Sequence, residues 1–406
     1  MLFQKKKYDN TGSLSKLACI RFRRNKVAFS SLVFIGLVAL LSIVGYWVTP
    51  DKTPMVNEQN LLLATLKPGS EVTILKVHKN QDIPDRNIFH RLLYGQENKF
   101  QSFPLSQYRF SSDSIIITEY SKDASGLEIG FHLANVCYPL YEKSGIQKAR
   151  NLISFISLEG KLIKTSVEEL RQQITEKYII QKTFFLGTDR YGRDVLSQLI
   201  LGTRVSLSVG FISVAISLLI GIFLGAIAGY FGGKIDALIS WFINVVWAVP
   251  TLLLVIAITF ALGKGFWQVF VAVGLTMWVE VARVVRGQFL SLREKEFVEA
   301  ARALGYRNFR IIFKHILPNA MAPVIVISAA NFASAILLEA GLSFLGIGVQ
   351  PPMPSWGGMI KENYAFIILD YAYLAILPGI AIMILVLAFM LIGNGLRDAL
   401  DVRSVD

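Results

Sequence analysis

Few residues in this chain have the types and spacing of a chemical site. His78, His90 and His132 are scattered, and neither Cys-x-x-Cys nor His-x-x-x-His occurs, so no metal-ligating set is read and no catalytic group is assigned. Gly263-Lys264-Gly265 lacks the Ser or Thr that ends a phosphate-cradling loop, which argues against nucleotide hydrolysis by this chain. Glu280 and Arg283 are three apart and within reach on a helix, and read as a structural ion pair. Glu339, close to the end of an apolar run, is a candidate pathway or gate residue, with snorkelling or helix capping as the structural alternative.

The richest segment is EAARALGYRNFRIIFKHILPN, from Glu299 to Asn319, and its chemistry is docking. Phe297, Ala300, Ala301 and Leu304 fall on one helical face, and Gly305 suits the C-terminal stop. Phe309, Ile312, Phe313 and Ile316 form a second stripe, with Arg307, Arg310 and Lys314 off it, until Pro318 breaks the pattern. The expectation is two short helices joined at a glycine. Helices this short are unstable alone in water, so they would gain from a groove on another protein or from the lipid headgroups.

The elements that must position this loop are apolar. Hydrophobic residues are 53% of the chain and charged residues 17%, which excludes a single soluble core. Six segments are each about 20 residues or longer, enough to cross a hydrocarbon layer of about 30 Å. They are Val27 to Val48, Val205 to Tyr230, Ala237 to Leu262, Phe266 to Val285, Ala320 to Leu345 and Tyr373 to Leu396. The first is too long for a secretion signal and reads as a retained anchor. Pro250, Pro323 and Pro378 lie in three different spans and favour kinks.

Orientation follows from the basic residues. Lys5, Lys6, Lys7, Lys16, Arg21, Arg23, Arg24 and Lys26 precede the first span against one acid, Asp9, which keeps residues 1–26 in the cytoplasm. Six crossings return the C-terminus there and place the loop of about 286–318 inside; Arg190, Arg193 and Arg204 are a local exception, partly offset by Asp189 and Asp194. Cys19 and Cys137 then lie on opposite sides and cannot pair within the chain. The net charge of +12 is a topology signal; nothing supplies a nucleic-acid-binding fold.

Between the first two spans, residues 49–185 form an outer insert of different composition. From Pro50 to Lys182 it holds 17 Lys and Arg against 15 Asp and Glu. Strand-like runs occur at Glu71 to Val77, Ser114 to Tyr120, Leu127 to Leu133 and Leu152 to Leu158, Gly160 marks a turn, and Ser166 reads as the cap of a helix reaching Ile179. A small α+β domain is expected.

Glu299, Ala300, Ala301 and Gly305, followed by Leu317 and Pro318, resemble the EAA motif on the cytoplasmic loop of ATP-binding-cassette (ABC) importer permeases. Leu186-Gly187-Thr188-Asp189, Gly192-Arg193-Asp194-Val195-Leu196-Ser197, and Gly202 with Arg204-Val205-Ser206-Leu207 resemble C-type permeases of the oligopeptide, dipeptide and nickel importers. So do Glu339 to Gly346, Val349-Gln350-Pro351-Pro352, Pro354-Ser355-Trp356-Gly357 and Gly395 to Asp401. Taken alone, the residues from Leu186 to Arg193 read as a surface turn and helix cap. Phe184 and Phe185 replace the common His-Pro, and the insert is longer than usual.

The resemblance implies a mainly α, six-helix type I permease core over residues 186–406 with the first helix at 27–48, in a bacterial inner membrane with both termini cytoplasmic. It implies coupling through Glu299, Ala300, Ala301, Gly305, Leu317 and Pro318. It also implies a second, B-type permease, one or two cytoplasmic ATPases that bind the ATP and Mg, an extracytoplasmic substrate-binding protein and surrounding lipid; no cofactor is expected in this chain. Peptides are the expected substrates, nickel or another small solute the alternative. An ion-gradient transporter would need paired broken helices and mid-membrane ionisable residues. An anchored sensor leaves five spans unexplained.

Overall fold

The computed structural model describes residues 14–121, 126–141, 145–149, 151–263 and 265–400. Lys5, Lys6, Lys7 and Asp9 of the N-terminal charge asymmetry, Lys264 and Asp401 lie outside the described residues.

The protein is mainly helical. Helix α1 (Leu14–Arg24) leads through Asn25, whose side chain caps the next helix by accepting from the Ala28 amide at 3.1 Å, into α2 (Lys26–Val48). The insert follows, with β1 (Ser70–His78), α3 (Ile88–Tyr94), β2 (Phe100–Ser111), β3 (Ser114–Glu119), β4 (Glu128–His132) and α4 (Leu133–Cys137). It continues through β5 (Gln147–Ala149), β6 (Leu152–Ile156), β7 (Leu162–Ser166), α5 (Val167–Gln173) and β8 (Ile179–Phe184). The remaining helices are α6 (Val195–Phe231), α7 (Gly233–Trp247), α8 (Thr251–Leu262), α9 (Phe266–Leu292), α10 (Glu296–Ala303), α11 (Asn308–Arg310), α12 (Leu317–Phe344), α13 (Trp356–Asn363) and α14 (Tyr373–Leu400).

The insert contains a five-stranded antiparallel sheet ordered β4-β3-β2-β1-β8 and a three-stranded sheet β5-β6-β7. Alternation along β1 and β3 points Leu75, Ile115 and Ile117 into a core shared with Leu133, Phe155 and Leu170. Each such side chain contributes about 1.5–3 kcal/mol on burial. The expected strands match β1, β3, β4 and β6, and Ser166 caps α5 by accepting from the Glu169 amide at 3.1 Å. The helix runs essentially as far as expected: from Gln173 it passes into a π turn at Ile174–Tyr178 capped at Ile179, where the chain becomes β8, which pairs with β1 and ends at the buried Phe184. The β-branched pair Ile179-Ile180 gains more as an edge strand on β1 than as a helix tail.

Five helices are long and apolar enough to cross a membrane, or six if α7 and α8 count as one span. The third apolar segment is therefore not a straight crossing: α7 and α8 meet at 92°. Pro250 causes the break, because it disfavours helical backbone at Val249 and itself sits extended at ψ 125°. Pro323 and Pro378 lie within continuous helices.

Helix α6 organises the rest. Its 37 residues reach about 55 Å, well beyond a hydrocarbon layer. It lies closest to α9, along a glycine seam in the pattern Gly-x-x-x-Gly-x-x-x-Gly. A Cβ at Gly221, Gly225 or Gly229 would stand 2.5 Å from Val281 Cβ, the Ala282 carbonyl oxygen or Phe289 Cβ, respectively. Between apolar helices in lipid, such small residues allow the close backbone approach that supplies packing energy. Ser213 Oγ adds a hydrogen bond across the seam to the Phe270 carbonyl at 2.9 Å. Helix α14 packs on α2 and α12, and near its C-terminal end Gly395 lies against Ala28 of α2 and Phe22 of α1.

Candidate functional site

The N-terminal end of α6 is built from the Leu186–Ser197 motif. Asp194 caps the helix, its Oδ1 accepting from the Ser197 amide at 2.7 Å. Asp189 is buried and accepts four hydrogen bonds: from the amides of Tyr191 and Arg193, both 2.9 Å, from Arg193 Nε at 2.7 Å, and from Gln198 Nε2 at 3.0 Å. Arg193 is ion-paired to both Asp189 and Glu362, joining this turn to α13. Thr188 Oγ1 donates to the Leu63 carbonyl and accepts from the Leu66 amide. Gly192 has φ +74°, and a Cβ there would fall onto the Asn60 carbonyl oxygen, so both conformation and space require glycine. Apart from Asp194 Oδ2, which is buried without a partner, the polar groups named here are committed inside the protein. The motif caps α6 as expected, but Thr188, Asp189, Arg193 and Asp194 are buried, so it is not a surface turn.

Two further contacts tie the insert to this end. Arg204 donates to the Ser42 and Ile43 carbonyls of α2 at 2.5 and 2.9 Å and to the Leu93 and Leu92 carbonyls of α3 at 2.6 and 2.8 Å. Tyr373, at the start of α14, donates to the Leu66 carbonyl at 2.7 Å. Burial would raise the Glu58 carboxyl, but Lys182 at 3.5 Å and donors from Ser102 and Asn98 outweigh it and hold it below the usual carboxylate range.

The opposite end of α6 carries the loop that the sequence singled out. Helix α10 ends in a Schellman motif: the Tyr306 amide donates to the Ala301 carbonyl at 3.1 Å and the Gly305 amide to the Arg302 carbonyl at 2.9 Å, with Gly305 at φ +74°. Val298 and Ala301 turn inward onto Ile311, Ile312 and Ile316, and this cluster packs against Val285 and Phe289 of α9 and Tyr230 of α6. Tyr230 Oη donates to Asn308 Oδ1 at 2.9 Å.

Two expectations for this loop are corrected. The apolar residues do not form one docking stripe. Ala301, Ile312 and Ile316 are buried within the chain, whereas Phe297, Ala300, Leu304, Phe309 and Phe313 stay exposed, with Leu304 at 71% and Phe309 at 72%. The burial of Val298 shows that the core face of α10 is rotated from the expected one. Nor does Pro318 end the second helix. A π turn at Ile311–Ile316, closed by the Leu317 amide on the Ile312 carbonyl, takes up the missing donor, and the helix runs on from Asn308 to Phe344.

Glu299 and Ala300 are exposed on α10, Ala301 is buried beneath them, and Leu317 and Pro318 open α12. These positions therefore share one end of the molecule. Glu339 lies elsewhere, wholly enclosed near the end of α12; its Oε1 accepts from Ser343 Oγ at 2.6 Å, and that hydroxyl accepts from the Val349 amide at 3.1 Å, so it braces the turn leading to α13. The expected Glu280–Arg283 pair is absent. Arg283 lies over the Trp247 ring, 3.6 Å from its centroid, and donates to Asn244 Oδ1 at 3.0 Å. Stacking on the indole, with the Asn244 hydrogen bond, holds the guanidinium and leaves the exposed Glu280 carboxylate one turn away unpaired. Sequence reasoning also missed the glycine seam, although its four-residue spacing is legible at 221, 225 and 229.

The fold is thus a bundle of membrane-length apolar helices that carries an inward-packed, outward-apolar loop at one end of α6. The chain belongs to the family of binding-protein-dependent transport system inner membrane components, whose model matches residues 221–405; a second model, the N-terminal TM domain of oligopeptide transport permease C, matches residues 13–68. This family comprises membrane-spanning permease subunits of ABC importers. The chain is 46% identical over 217 residues to the dipeptide transport system permease protein DppC of Alkalihalophilus pseudofirmus, a match covering 53% of this chain and 71% of that one. It is 39% identical over 220 residues to the oligopeptide transport system permease protein OppC of Bacillus subtilis, covering 54% and 72%. Among solved structures, the inward-facing MetNI methionine ABC transporter aligns with a TM-score of 0.43 and 20% identity over 51% of this chain and 97% of that one. Neither family model covers residues 69–220, which contain nearly all of the insert.

Proposed function

We propose that this chain forms half of a translocation pore for peptides and takes its driving motion from cytoplasmic ATPases through the loop around Gly305. The observation that carries the reading is the loop's division into two faces. Val298, Ala301 and Ile312 fasten it to the ends of α6 and α9, while Phe297, Leu304, Phe309 and Phe313 present an apolar ledge outward. A rigid loop with an uncovered ledge can be pushed from outside and will transmit the push to the helices. Glu299, exposed beside the ledge, would accept a hydrogen bond from a basic ATPase residue.

In this reading the loop and both termini face the cytoplasm and the insert faces out. The insert and the loop occupy opposite ends of α6, and α1 packs on the end of α14 remote from the insert, which supports that arrangement. The chain itself is non-catalytic; a B-type permease, one or two ATPases and an extracytoplasmic binding protein complete the importer. The insert serves as a dock for the binding protein or a lid over the outer mouth. Peptide substrates are supported by the names of the relatives. The test is to copurify the complex from native membranes and identify the ligand held by its binding protein by mass spectrometry. Short peptides are the expected result; a nickel chelate or another non-peptide solute would overturn the substrate assignment.

A further inference from the structure

Three charged residues lie on successive turns of α9 beside α7 and α8. Arg286 is engaged by both carboxylate oxygens of Asp236, at 2.5 and 2.7 Å. Arg283 is held by Trp247 and Asn244. Both arginines are thus committed to α7. Glu280 lies near the middle of α9, exposed, with no ion-pair partner among the described residues.

Glu280 lines a cavity of about 320 Å³, formed where the 92° break between α7 and α8 leaves a gap against α9 and α12. Leu254, Met277 and Leu337 supply apolar wall. Thr251 and Ser334 supply hydroxyls that make no hydrogen bond among the described residues. Its volume falls within the range of small-ligand sites, about 300–1,000 Å³. An uncompensated carboxylate beside apolar wall at membrane depth is costly and marks a site of function, with a cation as its natural complement.

We propose that this cavity is a transient substrate site within the membrane, where the Glu280 carboxylate receives the ammonium group of a passing peptide. The inference rests on the peptide reading above. Arg283, fixed on Trp247, leaves the carboxylate's charge to the substrate. The apolar wall accepts side chains without demanding particular ones, which suits a carrier of varied peptides.

The test uses the complete complex in proteoliposomes with an alanyl-photoleucine dipeptide as probe. Wild type should accumulate the probe and, on illumination during turnover, cross-link within the cavity, at Met277 or Leu337. Glu280→Gln should lower both uptake and cross-linking about tenfold, the loss of one charge-assisted hydrogen bond. ATP hydrolysis stimulated by the loaded binding protein should persist, and Glu280→Asp should recover much of the uptake. Cross-links confined to other regions, or Glu280→Gln uptake equal to wild type, would overturn the proposal. Failure of wild type to accumulate the probe would instead refute the peptide reading on which it rests.

Discussion

The two ends of α6 carry two glycines with the same backbone angle and opposite surroundings. Gly192 and Gly305 both have φ +74°, but Gly192 is wedged against the Asn60 carbonyl, while a Cβ at Gly305 would meet nothing within 4 Å. The same contrast runs through their neighbourhoods. Around Gly192, Thr188, Asp189, Arg193 and Asp194 find partners within the chain. Around Gly305, Leu304 stands exposed, and Phe309, whose ring meets only the exposed Phe313, does too. A motif whose groups are largely satisfied internally is architecture; one that leaves apolar groups uncovered is, under the proposed function, where the ATPase docks.

The largest effect that could break this comparison is at Gly192. Gly192→Val should prevent accumulation of folded chain, because the side chain adds a backbone clash to left-handed strain of about 1–2 kcal/mol. Fluorescence-detected gel filtration of membranes should show the monodisperse peak lost. Recovery of that peak at wild-type level would mean that this end tolerates rearrangement. Next comes the seam: Gly225→Leu should force α6 away from α9 at a cost of about 1–3 kcal/mol, read as a lower melting temperature of the solubilised protein. An unchanged melting curve would show the seam to be loosely packed.

At Gly305 the two replacements should separate. Gly305→Asn, which tolerates left-handed backbone, should keep most of the uptake, whereas Gly305→Val should fold and assemble yet lose it. Equal uptake in the two would show that the Schellman stop has no part in transmission. The smallest perturbation tests geometry alone. Leu127→Cys on the insert should be labelled by an impermeant maleimide in intact cells, and Arg302→Cys on α10 only after permeabilisation. Labelling of both from one side would contradict the placement of the two ends on opposite faces of the membrane.

Much of this arrangement was legible in the sequence, because the signals were local. Alternation in Glu71 to Val77, the Ser166 cap and the Gly305 stop each act over a few residues and appear in the structure. What was not legible depended on partners distant in sequence. Strand β2 contains Pro104 and the exposed run Ser106–Arg109, so its alternation is weak, and only β1 and β3 on either side define it. Which face of α10 turns inward was settled by Tyr230 and Phe289, far from the loop. Arg283 chose Trp247 over the neighbouring Glu280 through a helix break that no periodicity announces. The motif residues themselves were found, but whether each was architecture or interface became visible only with the packing around it.

The claim that most needs testing is that the exposed ledge around Gly305 transmits ATP-driven motion. In proteoliposomes containing the whole complex, Leu304→Asp combined with Phe309→Asp places charge on the two most exposed of the four ledge residues without touching the buried face formed by Val298, Ala301 and Ile312. Because both positions are exposed, the stability of the chain should shift by less than about 0.5 kcal/mol per substitution. Uptake and substrate-stimulated ATP hydrolysis should nevertheless fall at least about tenfold, while ligand binding to the isolated binding protein is unchanged. Transport at the wild-type rate by the fully assembled double variant would contradict the account.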